Sequence, residues 1–181
     1  MGADESYFLR AEGALEGWAM GGTAQELYEK DIKASFDEWG YTDHLNLAGE
    51  DYITSTRIPA SPGTDLSAPG VVIQPVSTAP ISFLSGGTKE QQLEQIVTQK
   101  WIGLYPENSI EAWTVRRITK YPKLLPRLES EEPLISATSL PTRLTFITSE
   151  YTDNAAEVQK AVTGLGGPDN GVTKLWWDKK P

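Results

Sequence analysis

The sequence predicts a mainly α protein, with helical hairpins packed as a segment of an α/α superhelix, long irregular loops and little or no β structure. Three observations predict it. Apolar residues recur at helical spacing in three separate stretches, residues 7–39, 93–118 and 158–165. Start and stop signals bound these stretches: Thr23 with Glu26, Asn108 with Glu111 and Asn154 with Glu157 at starts, and Gly21-Gly22, Gly40, Pro106 and Gly166-Gly167-Pro168 at stops. Between them the chain turns to Pro, Ser, Thr and Gly without a period, and only Val71-Val72-Ile73 reads as a strand.

The first helix places Tyr7, Ala11, Ala14 and Trp18 on one face and is expected to run to Gly21-Gly22. The second carries Tyr28, Ile32, Ser35, Phe36 and Trp39 before Gly40 stops it. Together, residues 1–40 form an antiparallel hairpin of tetratricopeptide type, a single copy where repeat arrays need about three. Residues 41–88 form a Pro/Ser/Thr/Gly-rich loop punctuated by Pro59, Pro62, Pro69, Pro75 and Pro80. Loops of that length in a compact domain are usually functional or mobile.

Residues 89–125 form a helix pair around a Pro-Glu-Asn break. Leu93, Ile96, Val97, Trp101 and Leu104 stripe the first helix, and Ile110, Trp113, Val115 and Ile118 the second. Two short helices cannot each bury a tryptophan alone, so they need a third layer. Trp18, Trp39, Trp101 and Trp113 are all expected in the core, with Trp101 and Trp113 holding neighbouring helices together. Residues 126–181 are irregular apart from one helix at 154–165 striped by Val158, Ala161, Val162 and Leu165.

With 181 residues, 39% of them hydrophobic, the chain supports one sizeable core, so residues 1–181 read as a single domain. A net charge of −9 without any basic stripe argues against a nucleic-acid partner. There is no cysteine, hence no disulfide, thiolate nucleophile or lipidation site in this sequence. No apolar run approaches the roughly 18 residues that span a bilayer, and the opening MGADESYFLRAEG lacks the basic and apolar regions of a signal peptide.

Catalytic and metal chemistry lack their parts. His44 is the one histidine and has no cysteine to join it, so Asp43 and His44 read as closing the loop after Gly40. No serine sits in a nucleophile elbow. Gly86-Gly87-Thr88-Lys89 reads as a helix-entry turn rather than a phosphate loop. A glycosidase needs two facing carboxylates; Glu111, beside Trp113, is the first choice for one, but capping already accounts for it. The expectation is therefore no catalytic residue, no metal and no cofactor.

Aromatic residues are what remains. Sugar rings present a flat C–H face that packs on an aromatic plane while their hydroxyls seek amide and carboxyl partners. Tyr41 and Tyr52, in or beside the polar loop, and Trp176 near the end of the chain are the candidate glycan-stacking residues. For the tandem Trp176-Trp177 the favoured reading is a staple that anchors the tail.

Four blocks in order carry a family resemblance. YFLRAEGALEGWAMGGTAQELYEKDIKASFDEWG, QKWIGLYPENSIEAWTVRR with YPKL, PTRLTFITSEYTDN, and LGGPDNGVTKLWWDKKP resemble the C-terminal portion of SusD/RagB-type nutrient-binding outer-membrane lipoproteins. The resemblance implies a cell-surface lipoprotein whose signal peptide and lipid-anchor cysteine lie upstream. It further implies non-catalytic binding of oligosaccharide and its delivery to a SusC-like TonB-dependent transporter, with much of the glycan site upstream of this segment. On this reading the chain is part of a longer protein and should expose a large apolar patch. The alternative is a helical-repeat module that docks another protein and binds no sugar.

Overall fold

The structure, a computed structural model, describes residues 3–46, 49–58, 63–64, 72–73, 76–125, 134–135 and 140–180. The chain forms two compact units, Met1–Leu124 and Leu125–Pro181. The fold is mainly helical, as the sequence predicts.

In the first unit, α1 (Ala3–Leu15) and α2 (Ala24–Glu38) make the expected hairpin. The Thr23 hydroxyl accepts from Glu26 N–H (3.2 Å) and the Glu26 carboxylate accepts from Thr23 N–H (2.8 Å), so the predicted capping box is complete. Between the helices the Arg10 guanidinium donates twice to Met20 O, at 3.0 and 2.7 Å, and fixes the turn. Gly13 sits close against this turn: a Cβ there would lie 3.0 Å from the Met20 side chain, which would have to shift by a few tenths of an ångström.

α1 ends a full turn earlier than its apolar spacing predicts. Gly17 takes φ +88°, Gly17 N–H bonds to Ala14 O and Trp18 N–H to Gly13 O, the paired bonds of a Schellman stop. Trp18 therefore leaves the helical stripe and stands 66% exposed, contrary to the core role expected of it. α2 ends the same way: Gly40 (φ +78°) bonds to Asp37 O and Tyr41 N–H to Phe36 O. Trp39 is the C-cap, where the backbone leaves the helical path, and it too is exposed rather than core. The core is instead Phe8, Ala11, Leu27, Tyr28, Ile32, Ile53 and Ile96.

α3 (Lys89–Gly103) and α4 (Ser109–Thr119) flank the Tyr105-Pro106 break. Thr88 and Gln91 form a reciprocal capping box, so the Gly86-Gly87-Thr88 stretch is the helix entry expected of it. Val97, Leu104, Val115 and Tyr121 form a second apolar cluster, and Trp101 and Trp113 are only half-buried. The α4 stripe is corrected as well. Val115 and Ala112 face the cluster, while Ile110 and Ile118 are exposed and Trp113 packs 4.6 Å beneath the Arg117 guanidinium.

The long loop is pinned at both described ends by polar side chains of α3. Gln95, almost fully buried, donates to Pro80 O (2.6 Å) and Ser82 O (2.9 Å) and accepts from Leu84 N–H (2.9 Å). Tyr28 donates to Ile81 O at 2.6 Å, and Ser82 N–H bonds to Ser55 O. Glu94 accepts from Ser77 and Lys123. A minimal antiparallel pair, β1 (Gly63–Thr64) with β2 (Val72–Ile73), lies inside the loop; Pro59, Pro62, Pro69, Val71 and Pro75 fall outside the described residues.

The second unit contains α5 (Thr148–Asp153), a short helix the sequence reading lacked, and α6 (Ala155–Leu165). Asn154 caps α6 by position only, without the expected side-chain bond; its amide N–H donates back to Glu150 at 3.4 Å. Only Val158 of the α6 stripe is buried. Asp169 organises the unit: it pairs with Arg143 and accepts from Phe146 N–H (3.0 Å) and the Tyr151 hydroxyl (2.8 Å).

Candidate functional site

The α2 stop builds an aromatic cluster around Phe36. Tyr41 lies edge-on to it at 6.5 Å, His44 at 5.9 Å and Tyr52 at 5.2 Å between ring centroids. Tyr41 reaches Phe36 because the left-handed Gly40 folds the chain back over the last helical turn. His44 bonds to Asp37 at 3.3 Å, and Asp43 accepts from Leu45 N–H, so this pair closes the loop as the sequence reading expects. Asn46 and Glu50 then bond reciprocally and Arg57 pairs with Glu50 at 2.8 Å, which fixes the loop beyond.

The structure thus brings Tyr41 and Tyr52 together but gives them different surroundings. Tyr41 is 63% exposed and offers its ring to solvent. Tyr52 is half-buried with its hydroxyl donated to Gln99 Oε1 at 3.1 Å. Burial pushes its phenol pKa up. Trp39, read from the sequence as core, stands 55% exposed two residues from Tyr41. The signal that could have found it is Gly40: a helix-ending glycine rotates the residues on either side of it off the buried stripe.

Trp176 lies in the second unit, in a turn closed by Asp178 N–H to Leu175 O and by the Lys174 ammonium to Lys180 O. It is 82% exposed, so it does not staple the tail; Trp177 is less exposed. Glu111, the forced choice for a catalytic carboxylate, accepts from the buried Lys100 ammonium at 3.3 Å. Among the described residues no three acidic or histidine side chains converge as a metal site, and no helix is long and apolar enough to cross a membrane. What the arrangement offers is exposed aromatic surface on a loop closed by carboxylate and amide hydrogen bonds.

Residues 1–178 match the family model described as "Susd and RagB outer membrane lipoprotein". A chitin-binding SusD homologue from Flavobacterium johnsoniae is 44% identical, with a TM-score of 0.86 over 100% of this chain and 36% of its own. A SusD homologue from Bacteroides thetaiotaomicron is 37% identical, with a TM-score of 0.87 over 100% of this chain and 38% of its own. One from Bacteroides vulgatus is 35% identical, with a TM-score of 0.84 over 98% of this chain and 35% of its own. The chain thus spans little more than a third of the length of these solved relatives. No curated protein matches it.

Proposed function

Because this chain belongs to the SusD and RagB family of outer-membrane lipoproteins, we propose that it takes part in non-catalytic capture of oligosaccharide at the bacterial outer-membrane surface. The observation that carries the site is the exposed ring of Tyr41 on a framework fixed by Phe36, Tyr52 and Gln99. The left-handed Gly40 and the bond from Tyr41 N–H to Phe36 O hold the backbone that presents this ring, which lowers the entropy lost when a sugar packs on it. Tyr52 supports that surface from below. Trp176 offers a separate stacking ring in the second unit. The chitin binding stated for the relative from Flavobacterium supports a glycan as the ligand class.

Delivery to a SusC-like TonB-dependent transporter, and anchorage through a lipid upstream of these residues, belong to the same proposal and rest on the family. Titration calorimetry of the 181-residue chain against a panel of neutral oligosaccharides tests the binding. Measurable heat that Tyr41→Ala abolishes is the expected result. Silence across the whole panel would count against it.

A specific observation favours a second reading, a protein-docking module. Ile102, Tyr105, Ile110 and Ile118 on α3, α4 and their connecting turn are large apolar side chains exposed to solvent. If that reading is right, no oligosaccharide of the panel gives heat with the chain, and Ile110→Lys abolishes its association with a protein partner.

A further inference from the structure

Of the four asparagines in the sequence, Asn46, Asn108, Asn154 and Asn170, only Asn170 precedes a glycine. We propose that Asn170-Gly171 is a site of spontaneous deamidation, which the fold of the second unit restrains and which opening of that unit releases.

The pair does not owe its glycine to backbone geometry. An Asn-Gly hairpin turn needs positive φ at both residues, and neither Asn170 nor Gly171 takes one. Packing does not demand the glycine either: a Cβ at Gly171 would meet Pro141 at 3.6 Å and Arg143 O at 3.8 Å, ordinary contact distances. What the missing side chain does leave is an unshielded backbone nitrogen beside the Asn170 amide. Once deprotonated, Gly171 N attacks Asn170 Cγ; the new N–C bond closes a succinimide, and the side-chain nitrogen leaves as ammonia. Water then opens the ring at one of its two carbonyls and gives aspartate or isoaspartate. Nothing is oxidised or reduced, and water is the one co-reactant.

Ring closure needs rotation of the side chain and of the peptide it joins. The fold holds both. Asn170 Oδ1 accepts from Val172 N–H at 3.1 Å and from Thr173 N–H at 2.9 Å, a local cap that ties the amide to the residues beyond Gly171. On either side of the reacting peptide, Asn170 O accepts from the Arg143 guanidinium (3.3 Å) and Gly171 O from Thr142 N–H (2.7 Å). Arg143 is itself fixed by its buried pair with Asp169. Cyclisation therefore runs from the open form, at a rate set by the open fraction. The isoaspartyl product adds one carbon to the main chain between those two carbonyls and sets a new charge beside Asp169. Thr142 and Arg143 lose their register with residues 170–171, so opening becomes one-way.

The test incubates the 181-residue chain in mildly alkaline buffer, with and without guanidinium chloride, and follows the tryptic peptide 161–174 by mass spectrometry. Asn170 is the one side-chain amide in that peptide, so an amide-to-acid mass gain has a single source. The unfolded chain should convert at least about 10-fold faster than the folded one, the factor that even modest local protection gives. Gly171→Ala should slow conversion several-fold in denaturant, because a methyl group crowds the attacking nitrogen. Arg143→Leu should bring the rate in buffer towards the unfolded rate, with amide exchange in α1–α3 confirming that the first unit stays folded. Tyr151→Phe, which removes only the hydroxyl bond to Asp169, should give an intermediate rate.

No mass gain in either condition overturns the site. Equal rates with and without guanidinium chloride overturn the restraint by the fold, and conversion undiminished in Gly171→Ala overturns the cyclisation. A rate in buffer that neither Arg143→Leu nor Tyr151→Phe changes overturns the part given to Arg143 and Asp169. The converted chain should show less amide protection over residues 141–178 than the fresh chain; equal protection overturns the one-way opening.

Discussion

Gln95 illustrates how single polar residues decide this structure. Its amide, itself almost fully buried, satisfies two carbonyls and one N–H of the half-buried strap at residues 80–84. Replacing it by leucine keeps the bulk but orphans all three backbone groups. At about 1 kcal/mol each, Gln95→Leu should cost about 3 kcal/mol in urea unfolding of the chain. It should also expose the strap to proteolysis. Tyr52→Phe removes one hydroxyl and strands Gln99 Oε1. The expected loss is about 1 kcal/mol, with glycan affinity unchanged, since the ring that offers its face to solvent is Tyr41. If Tyr52→Phe lost binding without losing stability, Tyr52 would be a ligand contact rather than a support.

The helices owe their ends to different devices, and those ends set the functional surface. Thr88 caps α3 through Gln91 N–H, so Thr88→Ala should lower the thermal midpoint by the equivalent of about 1 kcal/mol. Gly40 ends α2 in a left-handed conformation with open space where a Cβ would sit. Gly40→Ala therefore meets backbone strain and no clash, and should cost about 1–2 kcal/mol in thermal unfolding. It should also weaken sugar binding, because the strain is relieved by turning Trp39 and Tyr41 away from their present positions.

Of the molecule's two units, the first is held by apolar burial and the second by a charged hub. Burial alone pushes the Asp169 carboxyl up, but the Arg143 guanidinium, the Tyr151 hydroxyl and Phe146 N–H together outweigh it and hold the group below the ordinary carboxylate range. A carboxyl lowered in the folded state contributes stability that is fully present above its unfolded pKa of about 3.9 and is lost as pH falls through the folded value. Acidification through that window should reduce amide protection in residues 141–178 before it reduces protection in α1–α3. Asp169→Asn should lower protection of the same residues at neutral pH and flatten their acid response. Loss of protection in both units together would contradict the assignment.

How much of this was readable beforehand follows from range. Helix existence, the Thr23 capping box, the Pro106 break and the loop composition are local, so spacing and caps by themselves determined a mainly helical chain. Periodicity puts all four tryptophans in the core because it says which face a residue shares, not where a glycine cuts the helix. Gly17 and Gly40 turned Trp18 and Trp39 outward. The exposed Ile110 and Ile118 were missed for a related reason: α4 presents Val115 and Ala112 to its neighbour, and only the packing of α3 against it chose that face. Sequence alone determined the elements and the candidate Tyr41, since both rest on neighbours in the chain. Tertiary structure alone decided that the Tyr52 hydroxyl bonds to Gln99 and that Gln95 holds the long loop, because each depends on groups brought together from distant positions.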